Sequence, residues 1–249
     1  MLLNRAQVNQ GFLTVTKAVL DTLFPLRCLG CGQGEYWVCP PCENRIKRRL
    51  DQECPICRHR VTPGGAVCFN CRDTSSTTLD GVFVASSFHD PLLRHAIHTY
   101  KYRFIRDLSV PLGHLLLESL RHSSLPLPDV LIPVPLHKRR LRYRGFNQST
   151  LLARIIGDEL TPGLPLTVLE DALIRTRFTK PQMKTTSREE RLDNLTGAFT
   201  LNLADRALIR GHSIWLIDDV ETTGTTLEEC ARILKQNGAR SVWGIVLAR

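Results

Sequence analysis

From residue 81 onward, apolar runs of strand length alternate with segments whose apolar positions recur at helical spacing. "GVFVASSF" (81–88) reads as a strand, "PLLRHAIHTYKY" and "DLSVPLGHLLLESLRH" as amphipathic helices, and "DVLIPVPL" (129–136) as a short buried strand closed by prolines. "NQSTLLARIIGDEL" (147–160) has helical period and a capping residue in Asn147. "SIWLID", "TLEECARILKQNGA" and "SVWGIVLA" then form a strand–helix–strand unit, its helix ending at Asn237-Gly238. This alternation predicts an α/β domain with a parallel sheet covered on both faces.

Two segments break the rhythm. Residues 175–198, "RTRFTKPQMKTTSREERLDNLTGA", are basic and threonine-rich without an apolar stripe, the pattern of a functional lid. Residues 72–81, "RDTSSTTLDG", are a polar break that predicts a domain boundary. It separates residues 1–75, an N-terminal helix followed by a cysteine-rich module, from residues 76–249.

The cysteines explain the small module. Eight of nine fall in four CxxC pairs: Cys28/Cys31, Cys39/Cys42, Cys54/Cys57 and Cys68/Cys71. Two such pairs complete a tetrahedral four-thiolate zinc site with no open coordination position, so two structural zinc ions are expected. Sequential pairing puts the first four in one site and the last four in the other; a crossed pairing of alternate pairs is the alternative. Free or redox-active thiols would explain one pair, not four at short intervals. Cys230 lies on the apolar side of a helix and reads as core. "ENRIKRRL" (43–50), after the second pair, reads as a solvated helix.

The chain of 249 residues is 43% apolar, which disfavours disorder, and carries a formal net charge of +9, which suits a polyanionic partner. No apolar run reaches the ~20 residues of a membrane span, and the N-terminus lacks a signal-peptide pattern. A cytoplasmic protein is expected.

The chemistry concentrates in "WLIDDVETTGTT" (215–226). An apolar strand ends in two adjacent carboxylates, Asp218 and Asp219, and "ETTGTT" leads into a helix. In parallel sheets ligands bind beyond the C-terminal strand ends. The helix start offers unpaired N–H groups and a positive dipole end to a phosphate, Gly224 permits close approach, and the threonine hydroxyls add donors. Adjacent carboxylates accept from a vicinal diol or hold Mg²⁺. Phosphate and diol together describe a ribose 5-phosphate. A Walker B strand would need a GxxxxGK[ST] loop, which the sequence lacks.

This stretch resembles the phosphoribosyl pyrophosphate (PRPP) motif of type I phosphoribosyltransferases. The chain as a whole resembles the ComF/GntX family, linked to competence and DNA use, through "LFPLRCLGCG", the paired cysteines, "IHTYKYRF", "IPVPLHKRRLRYRGFNQS", "LIRTRFTKPQMKTTSREERLDNLTGAF" and the closing "LAR". The resemblance implies a type I phosphoribosyltransferase-like parallel sheet flanked by helices, with a small double zinc ribbon. It implies that Asp218 and Asp219 bind the ribose hydroxyls as the catalytic pair. Val220, Glu221, Thr222, Thr223, Gly224, Thr225 and Thr226 complete the PRPP loop, and Pro135, Leu136 and His137 lie by the pyrophosphate. Arg175, Gln182, Arg188, Arg191 and Asn194 belong to the closing loop.

"HKRRLRYRGFNQ" packs Lys138, Arg139, Arg140, Arg142 and Arg144 close to Tyr143 and Phe146. Three uses fit: single-stranded nucleic acid, the pyrophosphate of PRPP, or a solvated loop. Two functions follow. One is phosphoribosyl transfer to an acceptor; the other is handling of single-stranded DNA with PRPP as a regulatory ligand. PRPP, DNA and other competence proteins are the expected partners.

Overall fold

The computed structural model describes residues 26–178 and 197–249. The expected N-terminal helix and Gln182, Arg188, Arg191 and Asn194 of the closing loop lie outside the described residues. Two compact units are present, one ending at Arg45 and the other beginning at Ile46.

The smaller unit is organised around its cysteines. Its one described helix, α1 (Pro40–Glu43), starts on two prolines, whose missing N–H groups cost nothing at a helix start. The predicted helix over 43–50 does not form. Beyond the unit boundary the backbone runs extended: Arg48 bridges Ser86 antiparallel, Arg49 N–H donates to Ala85 O at 2.8 Å, and Ser86 Oγ donates to Lys47 O at 2.7 Å. Strand β1 (Gly81–Ser86) is an edge strand. Its open edge recruits residues 47–49, and pairing outweighs their helical spacing.

The larger unit holds a five-stranded sheet of order β1-β7-β6-β2-β3, parallel throughout: β2 is Val130–Pro133, β3 Thr167–Val168, β6 Ser213–Val220 and β7 Ser241–Ala248. A separate antiparallel pair, β4 (Leu173–Arg175) and β5 (Phe199–Leu201), flanks the 175–198 segment. Side chains alternate across the main sheet. Val82, Val84, Ile132, Leu216 and Val246 pack in one cluster with Leu227, Cys230 and Leu234 of helix α8 (Thr225–Gln236). Phe83, Leu131, Trp215, Ile217 and Ile245 point the other way and are equally buried. Gly244 of β7 lets α8 sit close, because a Cβ there would come within 2.9 Å of Leu227 Cδ1.

Local signals set the remaining helices. Short α2 (Phe69–Thr74) carries Cys71, and α7 (Arg206–Ile209) precedes β6. Asp90 caps α3 (Pro91–Tyr102), accepting from Leu92 and Leu93 N–H at 3.0 Å. Helix α4 (Ser109–Arg121) packs against α6 (Gln148–Glu159), whose cap is Asn147, accepting from Ser149 N–H at 3.2 Å. The basic run, for which a solvated loop is one of three sequence readings, is helix α5 (Lys138–Arg144), closed by Gly145 at φ 81°. Among the described residues no helix is long and apolar enough to cross a membrane.

Candidate functional site

The chain steps outward from β2 to β3 on one side of the sheet and from β6 to β7 on the other. The switch point therefore lies between β2 and β6, where open α/β sheets bind ligands. The two stretches singled out from the sequence meet there. Val134 N–H donates to Ile217 O at 2.9 Å, which fixes the Pro135–Leu136–His137 turn beside the end of β6. Asn147 Nδ2 donates to Val134 O at 3.0 Å and ties the turn to α6.

Asp218 is partly buried and Asp219 is 6% exposed. Oδ1 of Asp218 accepts from Ser149 Oγ at 3.0 Å and from Asp219 N–H at 2.9 Å. Oδ1 of Asp219 pairs with Lys101 Nζ at 2.9 Å. Desolvation and the neighbouring Asp219 charge raise the Asp218 carboxyl from 3.8 to about 7, against the opposing pull of Lys101, the backbone N–H and Ser149. The pair is held under electrostatic stress that a bound cation or hydroxyl donors would relieve. In both carboxylates these partners converge on Oδ1.

The loop that follows leaves backbone donors open at a helix start. Gly224 adopts φ 77° as the N-terminal flank of α8, and Glu228 N–H donates to Gly224 O at 2.9 Å. The N–H groups of Thr225, Thr226 and Leu227 thus have no acceptor within the helix. Thr223 and Thr225 hydroxyls lie 3.0 Å apart. Val220 ends the strand, partly buried. Glu221 is 5% exposed, and its carboxylate meets Arg249 Nε and Nη2, both at 2.6 Å. Held by Arg249, Glu221 packs against Gly224 of the loop.

His137 caps α5, its Nδ1 accepting from Arg139 N–H at 3.2 Å. Burial and the cations of Arg139, Arg175, Arg140 and Arg142 push its pKa down, so it is neutral at pH 7. The Phe178 ring lies 5.2 Å from His137 and 5.3 Å from the Arg139 guanidinium. Lys138, Arg139, Arg142 and Tyr143 face solvent, Tyr143 at 77% exposure. Arg140 is half-buried, and Arg144 Nη1 donates to Gln148 Oε1 at 2.5 Å. A cavity of about 370 Å³ opens between this helix, the Pro135–Leu136 turn and β4, with Phe146, Asn147 and Arg175 in its walls. Arg175 is 9% exposed.

The cysteines assemble sequentially. Cys28, Cys31, Cys39 and Cys42 form one cluster, and Cys54, Cys57, Cys68 and Cys71 the other, the four Sγ atoms of each within 4.8 Å of one another. A tetrahedral zinc with Zn–S bonds of ~2.3 Å requires S···S edges of ~3.8 Å. Cys28–Cys39 at 3.6 Å, Cys31–Cys39 at 3.7 Å and Cys57–Cys68 at 3.9 Å fit. Backbone N–H groups of Gly30 and Cys39 donate to Cys28 Sγ at 3.4 and 3.3 Å, and that of Cys68 to Cys54 Sγ at 3.4 Å, as thiolate ligands require. Both clusters could bind zinc.

Sequence reasoning missed Lys101, Ser149, Arg58 and Arg249 as site residues. Three of them lie in the stretches that carry the family resemblance, "IHTYKYRF", "RGFNQS" and "LAR". A signal was present, without a role attached.

A parallel sheet with helices on both faces, the acidic pair and glycine–threonine loop at its switch point, is a phosphoribosyltransferase-like α/β fold, here joined to two four-cysteine clusters. No family model matches the chain. It is similar to DNA utilization protein YhgH of Escherichia coli O157:H7, with 34% identity over 213 residues, 84% of this chain and 88% of that one. Competence protein F of Haemophilus influenzae is 28% identical over 90% of this chain and 98% of its own length. Competence protein ComFC of Bacillus subtilis is 29% identical over 85% and 84%. The chain belongs to the family of these proteins, the ComF/GntX family. Among solved structures it is similar to an allosteric regulatory enzyme of purine biosynthesis, at 21% identity and a TM-score of 0.37 over 56% of this chain. It is also similar to glutamine phosphoribosylpyrophosphate amidotransferase from B. subtilis, at 20% identity and a TM-score of 0.37 over 55%. The chain spans 26% of each of those two.

Proposed function

We propose that this protein binds PRPP and transfers its phosphoribosyl group to an acceptor in the use or uptake of DNA. The observation that carries the reading is the meeting of the Asp218–Asp219 pair, the 222–226 loop and the Pro135–His137 turn at one switch point. The carboxylates would accept from the ribose 2- and 3-hydroxyls. The N–H groups of Thr222, Thr223, Gly224, Thr225 and Thr226, with the four threonine hydroxyls, would hold the 5-phosphate. The 135–137 turn and the start of α5 would receive the pyrophosphate.

In the reaction the bond from ribose C1 to pyrophosphate breaks, C1 takes on cationic character, and a bond to the acceptor forms as pyrophosphate leaves. Basic side chains stabilise the leaving charge, and closure of the loop after Arg175 would exclude water. Mg²⁺, which the acidic pair is chemically suited to hold directly or through water, would neutralise the pyrophosphate. The 370 Å³ cavity beside the 135–136 turn is a candidate space for an acceptor. The closing loop would include Gln182, Arg188, Arg191 and Asn194. The protein would act in the cytoplasm, alongside other competence proteins.

The test is incubation of the protein with Mg²⁺, PRPP and a panel of nucleobases and DNA oligomers, reading released pyrophosphate. Calorimetry is its companion. PRPP affinity should fall at least a hundredfold in the Asp218→Asn/Asp219→Asn variant, and an unchanged affinity refutes the assignment.

A second reading has its own observation. Helix α5 presents Lys138, Arg139, Arg142 and an exposed Tyr143 together. Charge that tracks a backbone, with a ring to stack on a base, suits single-stranded DNA. PRPP would then be a regulatory ligand, and binding without pyrophosphate release would favour this reading.

A further inference from the structure

The second cysteine cluster is fastened to the phosphate loop at two points. The first is Arg58, directly after Cys57. Arg58 takes φ 56°, a left-handed conformation uncommon for a residue with a Cβ, and its N–H donates to Cys54 O at 3.0 Å. The turn around the cluster thus imposes the backbone that aims the guanidinium. Arg58 Nη2 donates to Thr222 O at 3.2 Å and lies 3.6 Å from Glu221 Oε1. Glu221, held from the other side by Arg249, sits under Gly224, its Oε1 2.9 Å from where a Cβ would be. The second point lies beyond α2, which carries Cys71. Thr78 N–H, Thr77 Oγ1 and Thr78 Oγ1 donate to the Glu228 carboxylate at 2.5, 2.6 and 2.8 Å. Glu228 is in the first turn of α8, whose N-terminus is the phosphate loop.

We infer that the second four-cysteine cluster is a working part of the sugar-phosphate site, with Arg58 as its positioning residue: with metal in the cluster, Arg58 holds residues 221–224 in their anion-accepting shape. The inference rests on reading that loop as the phosphate site. Two states differ. With metal bound, the 54–58 turn is rigid and Thr222 O is occupied by Arg58. Without it, the left-handed turn loses the ligand bonds that fix Cys54 and Cys57 on either side of it, and the brace on the loop weakens. Metal occupancy and PRPP affinity are then linked, and linkage is reciprocal: PRPP tightens metal binding by the same free energy through which metal tightens PRPP. The coupling is that of a charge-assisted hydrogen bond, roughly tenfold in affinity.

The experiment uses the full chain loaded with zinc and two equilibrium readouts that need no turnover: calorimetry with Mg²⁺-PRPP, and zinc affinity from competition with a chromogenic chelator. Saturating PRPP should tighten the binding of one of the two zinc ions. Arg58→Ala should keep both zinc ions, bind PRPP roughly tenfold more weakly, and hold zinc with an affinity indifferent to PRPP. Arg58→Lys should recover part of both effects. The Thr77→Val/Thr78→Val variant, which loosens the other fastening without touching the cluster, should weaken the linkage in the same direction and decides the matter if Arg58→Ala fails to fold. Wild-type PRPP affinity in both variants, or zinc affinity indifferent to PRPP in a wild type that binds it, overturns the inference and leaves the phosphate site standing. A wild type with no PRPP affinity overturns the site reading itself and this inference with it.

Discussion

The ammonium of Lys101 lies 2.9 Å from Oδ1 of Asp219, at the end of a helix that the sheet's edge connection brings across to the acidic pair. Lys101 is 22% exposed at its side chain and Asp219 9%, so the ion pair is poorly screened. Tyr100, fully buried beside it, donates to Gln148 O at 3.1 Å and anchors this end of α3 on α6. Lys101→Met should therefore destabilise the ligand-free protein by about 1–3 kcal/mol at pH 8, because two adjacent carboxylates lose their cation. At pH 5 the loss should shrink, since Asp218 is then protonated. Thermal unfolding at the two pH values checks this, and Mg²⁺ should restore more stability to the variant than to the wild type.

Asp218→Asn should act in the opposite direction on stability. The Asn side-chain oxygen can still accept from Ser149 and from the residue 219 N–H, but it carries no charge. The folded-state pKa of Asp218, about 7, exceeds its ordinary 3.8. Below the lower value the carboxyl is neutral in both states and costs nothing. Stability conferred by the protonated form is lost as pH rises toward about 7. The variant should thus match the wild type near pH 4 and exceed it by roughly 1–3 kcal/mol at pH 8. PRPP affinity should drop in the same protein. Equal unfolding midpoints at pH 8 would remove the electrostatic stress from the account.

Gly224→Ala should injure both fold and site. The position has φ 77°, and a Cβ would meet Glu221 Oε1 at 2.9 Å. A cost of about 1–2 kcal/mol is expected from the backbone and the crowding. Gly211 offers the control, with φ 79° and open space around its would-be Cβ. Gly211→Ala should show the backbone cost alone and leave PRPP binding untouched, whereas Gly224→Ala should weaken it tenfold or more by calorimetry.

The parts of the molecule that were legible in sequence are those where one local signal decides. Alternating apolar runs marked the four long strands of the parallel sheet, and Asn147 and Gly238 marked helix ends. CxxC spacing located both cysteine clusters, and the strand-to-helix junction at Asp218–Thr226 marked the candidate site at the switch point. What stayed hidden depends on partners distant in sequence. Residues 47–49 look helical until the open edge of β1 is there to pair with them. Lys101, Ser149, Arg58 and Arg249 are ordinary residues on their own elements and acquire meaning only across the 118, 69, 163 and 28 positions that separate them from their acidic partners. The basic run became a helix because His137 caps it and Gly145 ends it, a signal that its charge obscured.

The cluster geometry predicts a metal count. The wild type should bind two zinc ions per chain, and Cys31→Ser and Cys57→Ser should each retain one, because the clusters share no ligand. Combining Cys31→Ser with Cys42→Ser should cost no more zinc than either alone, since both act on one cluster. Combining Cys31→Ser with Cys57→Ser should leave none bound tightly. Metal analysis of the purified variants decides. Cys57→Ser should also lower the unfolding midpoint of the larger unit, where Cys54, Cys68 and Cys71 pack with Val67.

Helix α5 separates two uses of the same charge. Lys138, Arg139 and Arg142 face solvent, whereas Arg144 is tied to Gln148. Replacing the three exposed residues by Gln therefore removes charge with little effect on folding. If single-stranded DNA lies along this helix, affinity should fall with salt. In the triple variant the slope of log K against log salt should flatten by ~2, at about 0.7 for each phosphate that is no longer neutralised. Tyr143→Ala should weaken DNA binding by about 1–3 kcal/mol with no change in that slope, because stacking is not a counterion effect. PRPP affinity should be unaffected by Tyr143→Ala in either case. If instead the helix serves pyrophosphate, the triple variant should lose PRPP affinity and leave DNA binding as it was. Wild-type behaviour of the triple variant toward both ligands would mark α5 as a solvated surface and take it out of the functional account.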